Sequence, residues 1–288
     1  MIRIGIVGSD NSHADQFAQR CNLPEHPQRV EGARVVAICG AEPKRTLEVQ
    51  TNAKIDEIVD SPKKMLGKID AAMVVYRHGG LHLENAKPLI QAGLPVFVDK
   101  PLACSVKEAK KLVELANKKN VALTSFSTVR LAQCTKAFIK DQIPQCGQLF
   151  SATFTGPSDP NSEYGGIFFY GIHPVEMMIE FLGTEIEDVT AVRAGMNTIV
   201  TCRYRSGVLG ILELLPGANG FTALVNGKSG NRFFPYDHAT AYSDGLRTIL
   251  DMFQTKVRPY TDEQLLASPR VLEAIDKSVK AKGRPKPF

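Results

Sequence analysis

Four short stretches hold residues whose types and spacing suit chemistry. The first is Gly5-Ile6-Val7-Gly8-Ser9-Asp10-Asn11-Ser12-His13, an apolar run that reaches a glycine and then a helix-like segment. In a dinucleotide-binding turn one glycine makes the tight turn, a second admits the pyrophosphate to the backbone, and a third lets helix and strand pack closely. Gly8 fills the first place, whereas Asp10 and His13 fill the other two. Asp10 brings a carboxylate towards the anion's place unless its side chain points away or binds backbone amides. Asn11 and Ser12 are good helix N-caps, and the amides that open a helix at Ala14 form an anion site by geometry and dipole. Gly8 to His13, with Ser9 inside it, therefore reads either as a phosphate cradle or as a turn that only caps a helix.

The second stretch ends the strand-like run Val35-Val36-Ala37-Ile38-Cys39 at Gly40. An Asp or Glu at such a strand end binds the adenosine ribose hydroxyls. Gly40 followed by Lys44 and Arg45 suits a 2′-phosphate instead, with Glu42 pulling the other way. The third is Val96-Phe97-Val98-Asp99-Lys100-Pro101-Leu102. It places Lys100 at the carboxyl edge of a sheet, where open α/β sheets bind ligands, and Pro101 restricts the lysine to extended geometry. Lys100 is either a solvated loop lysine or a group that holds a substrate hydroxyl and moves its proton. The fourth is Gly165-Gly166-Ile167-Phe168-Phe169-Tyr170-Gly171-Ile172-His173-Pro174-Val175-Glu176. Two glycines lead to a helix start with His173 in its first turn and Glu176 one turn on, where a carboxylate can orient or charge an imidazole. A structural histidine fits the same pattern.

The elements that must position these residues follow from periodicity. Ile2 to Val7, Arg34 to Cys39, Ala71 to Tyr76, Pro95 to Val98 and Val121 to Ser125 are strand-like. The intervening segments repeat apolar residues at helical spacing. Consecutive strand–helix units close as right-handed crossovers, so residues 1–125 are expected to form a doubly wound parallel sheet of Rossmann type. Residues 126–288 change rhythm: helices are expected at Leu131 to Asp141, Ile172 to Leu182, Tyr242 to Gln254 and Asp262 to Lys280. Strands are expected at Gln148 to Thr155, Ile186 to Ala194, Thr198 to Tyr204, Val208 to Leu215 and Gly220 to Asn226. Strands that follow one another directly pair antiparallel, giving an α+β domain with an open, mainly antiparallel sheet that binds substrate and self-associates. A cleft between two such domains is where small-molecule sites lie.

Composition narrows the class. The 288 residues are long enough for two ordinary domains, and 43% hydrophobic with 23% charged residues is the balance of a globular protein. No apolar run is long enough for a membrane span, and the chain enters a strand at once without a signal-peptide pattern, so the cytoplasm is expected. The six cysteines lie far apart with no C-x-x-C pair, which reads as buried thiols with neither zinc nor disulfides. Part of the net charge of +5 sits in Lys277, Lys280, Lys282, Arg284 and Lys286. Without aromatic interleaving or a helix-turn-helix pattern this is a solvated face, and no nucleic-acid partner is expected.

Taken in order, these places resemble the Gfo/Idh/MocA oxidoreductase family over essentially the whole chain. The resemblance rests on Asp99-Lys100-Pro101-Leu102, on His82 and Glu84 before it, and on the glycine-led start at His173. The strand Val208 to Glu213 and the closing Lys282-Gly283-Arg284-Pro285 support it. It implies an NAD(P)-dependent oxidoreductase moving a hydride between nicotinamide and a sugar, polyol or related small molecule, with NADP favoured by the Gly40 end. It implies catalytic roles for Lys100 and His173, with Glu176 beside them. The cofactor would lie on Gly8, Ser9, Asp10, Asn11, Ser12, His13, Gly40, Lys44, Arg45, His82, Asp99 and Lys100. Family members commonly carry Asp four residues before the histidine, where this chain has Phe169; Glu176, or a hydroxyl from Tyr170 or Tyr164, is the candidate substitute. A catalytically silent relative that binds nucleotide or a partner protein is the alternative. A homodimer or homotetramer through the second-domain sheet is expected in either case.

Overall fold

The computed structural model describes Met1–Phe288. It contains two compact units: Met1–Phe126 with Thr240–Leu265, and Ser127–Ala239 with Leu266–Phe288.

In the first unit, strands β1 (Ile2–Val7), β2 (Ala33–Cys39), β3 (Glu57–Ile58), β4 (Ala71–Val74), β5 (Val96–Val98) and β6 (Leu123–Thr124) form one parallel sheet ordered β3-β2-β1-β4-β5-β6. This is the doubly wound dinucleotide-binding order, with β1 at the switch point. Its central strands are buried along their length, as their unbroken apolar runs require of a sheet covered on both faces. Helices α1 (Ser12–Asn22), α2 (Pro43–Asn52), α3 (His82–Gln91) and α4 (Val106–Lys119) link the strands. Asn11 caps α1 by accepting the His13 N–H, and Ser105 caps α4 by accepting the Glu108 N–H. Phe17, Phe97 and Phe126 are fully buried, with ring centroids 5.8 and 5.1 Å apart in sequence. Such pairs add about 0.5–1.5 kcal/mol each beyond area burial.

The second unit holds α5 (Gln133–Asp141), β7 (Leu149–Gly156), the short α6 (Ile167–Tyr170), α7 (Ile172–Leu182), β8 (Ile186–Ala194), β9 (Asn197–Tyr204), β10 (Leu209–Leu214), β11 (Thr222–Gly227) and β12 (Gly230–Pro235). Helices α8 (Ala241–Thr255) and α9 (Asp262–Lys280) and strand β13 (Lys286–Pro287) complete the chain. The second sheet runs β12-β11-β7-β10-β9-β8-β13 and is antiparallel except for the β7–β10 pair. Ala152, Phe154, Val200, Cys202, Leu212 and Val225 point to its covered face, against which α7 packs.

The expected architecture stands, with local corrections. Strands β3, β12 and β13 were not foreseen: β3 and β13 have two residues each, too short for a pattern. β12 follows β11 through the two-residue turn Lys228–Ser229, which is not a typical hairpin dipeptide and sits between Gly227 and Gly230. Between β3 and β4 the chain makes only a 3₁₀ turn, Pro62–Met65. Helix α8 belongs to the first unit, although it follows the second sheet in sequence. All six cysteines are unpaired, but Cys104 and Cys134 are only half-buried.

Candidate functional site

The turn after β1 is built around a carboxylate on either side. Gly8 has φ +104°, and a Cβ there would sit 2.7 Å from the Tyr76 nitrogen, so the tight turn needs glycine. The Asp10 carboxylate accepts the Arg77 N–H at 3.2 and 3.3 Å and is thereby turned to the loop after β4, one of the two escapes open to it. Ser9 is buried and bonded to Thr46 at 2.8 Å. Gly40 is required by the same contact, since a Cβ there would collide with Ser9 Oγ and Thr46 Oγ1.

His13 does not leave room as a glycine would; it joins the turn to the Lys-Pro loop. Its Nδ1 lies 2.8 Å from Asp99 Oδ2, which also accepts Asn11 Nδ2 at 3.0 Å. Tyr242, from α8, covers the imidazole with ring centroids 5.2 Å apart and lies under the Arg20 guanidinium. Asp99 is 1% exposed. Burial alone raises a carboxyl pKa, but His13 and Lys100 overcome it and hold Asp99 down at about 2. Lys100 follows directly, at the carboxyl end of β5 and only 4% exposed, with a cis bond to Pro101. This overturns the solvated loop lysine.

His82 is fully buried, and its Nδ1 and Nε2 lie 2.8 and 2.9 Å from the Pro101 and Tyr76 carbonyl oxygens. Burial lowers its pKa. Of the residues expected on the cofactor it is the one the fold spends on holding the Lys-Pro loop to the end of β4. Arg45 is likewise engaged elsewhere, paired with Asp15 and near Glu48. A cavity of about 600 Å³ opens beside Gly40, lined by Asp60, Ser61, Lys63, Tyr76, Glu84 and Lys87 among others. Neither Lys44 nor Arg45 lines it; Lys63 and Lys87 supply its cations. No periodicity singles out these two lysines, because they arrive from separate crossovers.

In the second unit, His173 lies in the first turn of α7, and Glu176, 3% exposed, one turn further. The expected direct pairing is replaced by Ser127. Its Oγ is 2.6 Å from His173 Nδ1, and its N–H donates to Glu176 Oε2 at 2.6 Å. Ser268 donates to Glu176 Oε1 at 3.0 Å, and Arg130 stands 3.9 Å from Oε2. Burial nonetheless raises the Glu176 pKa, against the lowering by Arg130 and these two donors. Arg130 Nε and Lys136 both pair with Glu180, at 2.8 and 2.7 Å. Phe169 packs among aromatics, tilted against the Tyr164 ring at 5.0 Å and edge-to-face with that of Tyr170 at 4.8 Å. Ser127 was missed because its partner is 46 residues away; its own neighbourhood signals only the cap of a 3₁₀ turn, Thr128–Arg130.

Comparison with known proteins agrees with this geometry. Residues 2–127 match the model of the Gfo/Idh/MocA oxidoreductase family, described as an NAD-binding Rossmann fold. An uncharacterized oxidoreductase, YhhX of Escherichia coli, is 25% identical over 47% of this chain and 40% of its own. Myo-inositol 2-dehydrogenase of Thermotoga maritima is 24% identical over 74% of this chain and 68% of its own. The first two curated relatives are matched over only 40% and 62% of their length. The solved structure of myo-inositol dehydrogenase from Lactobacillus casei, in complex with NAD(H) and myo-inositol, superposes with a TM-score of 0.84 at 15% identity, covering 100% of this chain and 97% of that one. A sheet wound in the dinucleotide-binding order, a Lys-Pro loop at its carboxyl edge and these matches lead to one statement: across its first domain, residues 2–127, the chain is similar to the Gfo/Idh/MocA oxidoreductase family.

Proposed function

We propose that the protein is an NAD(P)-dependent oxidoreductase acting on the hydroxyl or carbonyl carbon of a polyol, sugar or related small molecule. One observation carries this reading. Lys100 is buried at the carboxyl end of a parallel strand, a position where a charge is retained only at a cost and where open sheets bind ligands. The turn bears on the cofactor through Asp10, which is drawn off by the Arg77 N–H and so does not oppose an anion at the start of α1, where Asn11 takes the His13 and Ala14 N–H groups. When bound, the nicotinamide supplies hydride transfer. Lys100 and His173 are the groups assigned to proton exchange in this reading, and Ser9, Asn11, Ser12 and His13 frame the pyrophosphate. The myo-inositol dehydrogenases among the similar proteins support a polyol as the substrate class.

The finer choice of NADP(H) rests on the lack of an acid at Gly40 and on Lys63 and Lys87 in the adjoining cavity. Titration by nicotinamide fluorescence tests both levels. Binding of NADPH tighter than NADH, and weakened about tenfold by Lys63→Ala, is the expected result. Binding of neither nucleotide overturns the whole reading; tighter NADH binding overturns only the preference.

The assembly reading rests on the second sheet. Phe233, Leu224, Thr153, Ile211, Thr201 and Thr190 form one cross-strand row on its uncovered face. Ile199, Leu209 and Val192 add exposed apolar side chains. Face-to-face packing of two copies covers this surface as a homodimer or homotetramer. Light scattering should report a multiple of 31.5 kDa that Leu224→Glu reduces; a wild-type monomer at micromolar concentration sinks it. Unpaired thiols suit the cytoplasm, where this reading puts the protein.

A further inference from the structure

Ser127 is completely buried and caps the 3₁₀ turn Thr128–Arg130, its Oγ accepting the Val129 N–H at 3.3 Å. A serine hydroxyl carries one hydrogen and two lone pairs. The cap occupies a lone pair, and the acceptor left for the hydrogen is His173 Nδ1, 2.6 Å away. A buried O–H without an acceptor is penalised, so the hydrogen is directed to that nitrogen. The serine is itself fixed from behind, because its N–H is held by Glu176 Oε2 and Glu176 by Ser268.

We infer that Ser127 is a positioning residue that donates to Nδ1 and so holds neutral His173 with its hydrogen on Nε2. The inference deepens the proposed function and rests on its assignment of His173. With the hydrogen on Nε2, the imidazole meets a substrate oxygen as a hydrogen-bond donor, the role that suits a carbonyl and the alkoxide it becomes. Lys100 then gives that oxygen its proton and is left as the neutral amine. Accepting a proton at Nε2 instead needs the hydrogen on Nδ1, which turns Ser127 Oγ into an acceptor twice over and strands its own O–H. The same donor serves the reverse oxidation, because a group that stabilises the alkoxide does so from either side of the reaction. The charged groups linked to this site run from Glu176, which holds Ser127, through Arg130 on the 3₁₀ turn to Glu180 on α7 and Lys136 on α5; Tyr170 and Phe221 flank the ring at 5.6 and 5.1 Å.

The test is proton-coupled nitrogen NMR of the full-length protein labelled at histidine, with the His173 signals identified by their loss in His173→Gln. At a pH where His173 is neutral, wild type should show a bare Nδ1 and a protonated Nε2. Ser127→Ala should mix the two forms, and Ser127→Thr should restore the wild-type pattern. On a carbonyl substrate, Ser127→Ala should lower kcat about tenfold with KM within twofold, a smaller loss than the about 10²–10⁴ that a positioned acid or base itself supplies. A wild-type His173 protonated on Nδ1 overturns the inference whatever the variants do. A correct tautomer in a protein whose His173→Ala variant keeps full activity leaves the hydrogen bond standing and overturns the catalytic role of His173.

Discussion

Asp99 in the first unit and Glu176 in the second are both nearly closed to water, at 1% and 3% exposed, yet burial wins in one and loses in the other. Asp99 has the His13 ring nitrogen at 2.8 Å and Lys100 next in sequence, and their combined pull holds it ionised down to about pH 2. Glu176 has its nearest cation, Arg130, at 3.9 Å, and that guanidinium is already engaged by Glu180. Hydrogen bonds from Ser127 and Ser268 do not make up the difference, and the carboxyl is pushed up. Desolvation acts alike on both; a counter-charge in contact decides the outcome. The first unit thus keeps a fixed charge beside its lysine, and the second keeps a hydrogen-bonding scaffold behind its histidine.

The most severe way to probe this contrast is Lys100→Met, which removes a cation from Asp99 and the proton donor from the reaction together. Turnover of a polyol or sugar substrate, followed by nicotinamide absorbance, should fall about 10²–10⁴-fold. Nucleotide affinity should stay within a few-fold, because the pyrophosphate is held by the turn. Full activity in that variant ends the proposed mechanism.

Next in size are the two carboxyl replacements, compared by urea denaturation at neutral pH. Asp99→Asn leaves His13 and Lys100 without their counter-charge and should cost about 3 kcal/mol. Glu176→Gln keeps an acceptor for the Ser127 N–H and discards an ill-compensated charge, so the change should be within about 1 kcal/mol. Equal losses at both positions would erase the distinction drawn between them.

The smallest effect is the pH dependence, where the two groups have opposite sign. Asp99, lowered from 3.8 to about 2, contributes stability that is complete above pH 3.8 and lost as pH falls towards 2. Glu176 is raised from 4.5, so its protonated form is the one folding favours; that contribution is complete below 4.5 and lost as pH rises through its folded value. The deficit of Asp99→Asn should therefore shrink in acid, while Glu176→Gln should gain on wild type as pH rises above 4.5. Parallel profiles for the two variants would contradict the assignment.

Much of this is legible in the sequence, but unevenly. The strand–helix alternation to Leu123–Thr124 could be read because helices and strands announce themselves through local periodicity. Lys100 could be singled out because its strand, acid and proline are contiguous. Arg45 could not be judged that way. Its type and spacing suit a phosphate, and only the approach of Asp15 from α1 shows where its charge is used. His82 drew attention as a polar group beside the loop, yet its two carbonyl partners, Tyr76 and Pro101, make it a strut.

By itself, then, the sequence determined what local pattern can encode: which segments are helix or strand, that the first sheet is parallel and the second mainly antiparallel, and which loops carry a lysine and a histidine worth testing. Tertiary structure alone decided the partners: Tyr242 returning from α8 to cover His13, β7 and β10 lying parallel within an otherwise antiparallel sheet, and Ser127 standing between His173 and Glu176. The reason is physical. Periodicity records which face of an element is apolar, whereas a hydrogen bond or ion pair between residues tens of positions apart depends on direction and distance, and these exist only once the chain has closed.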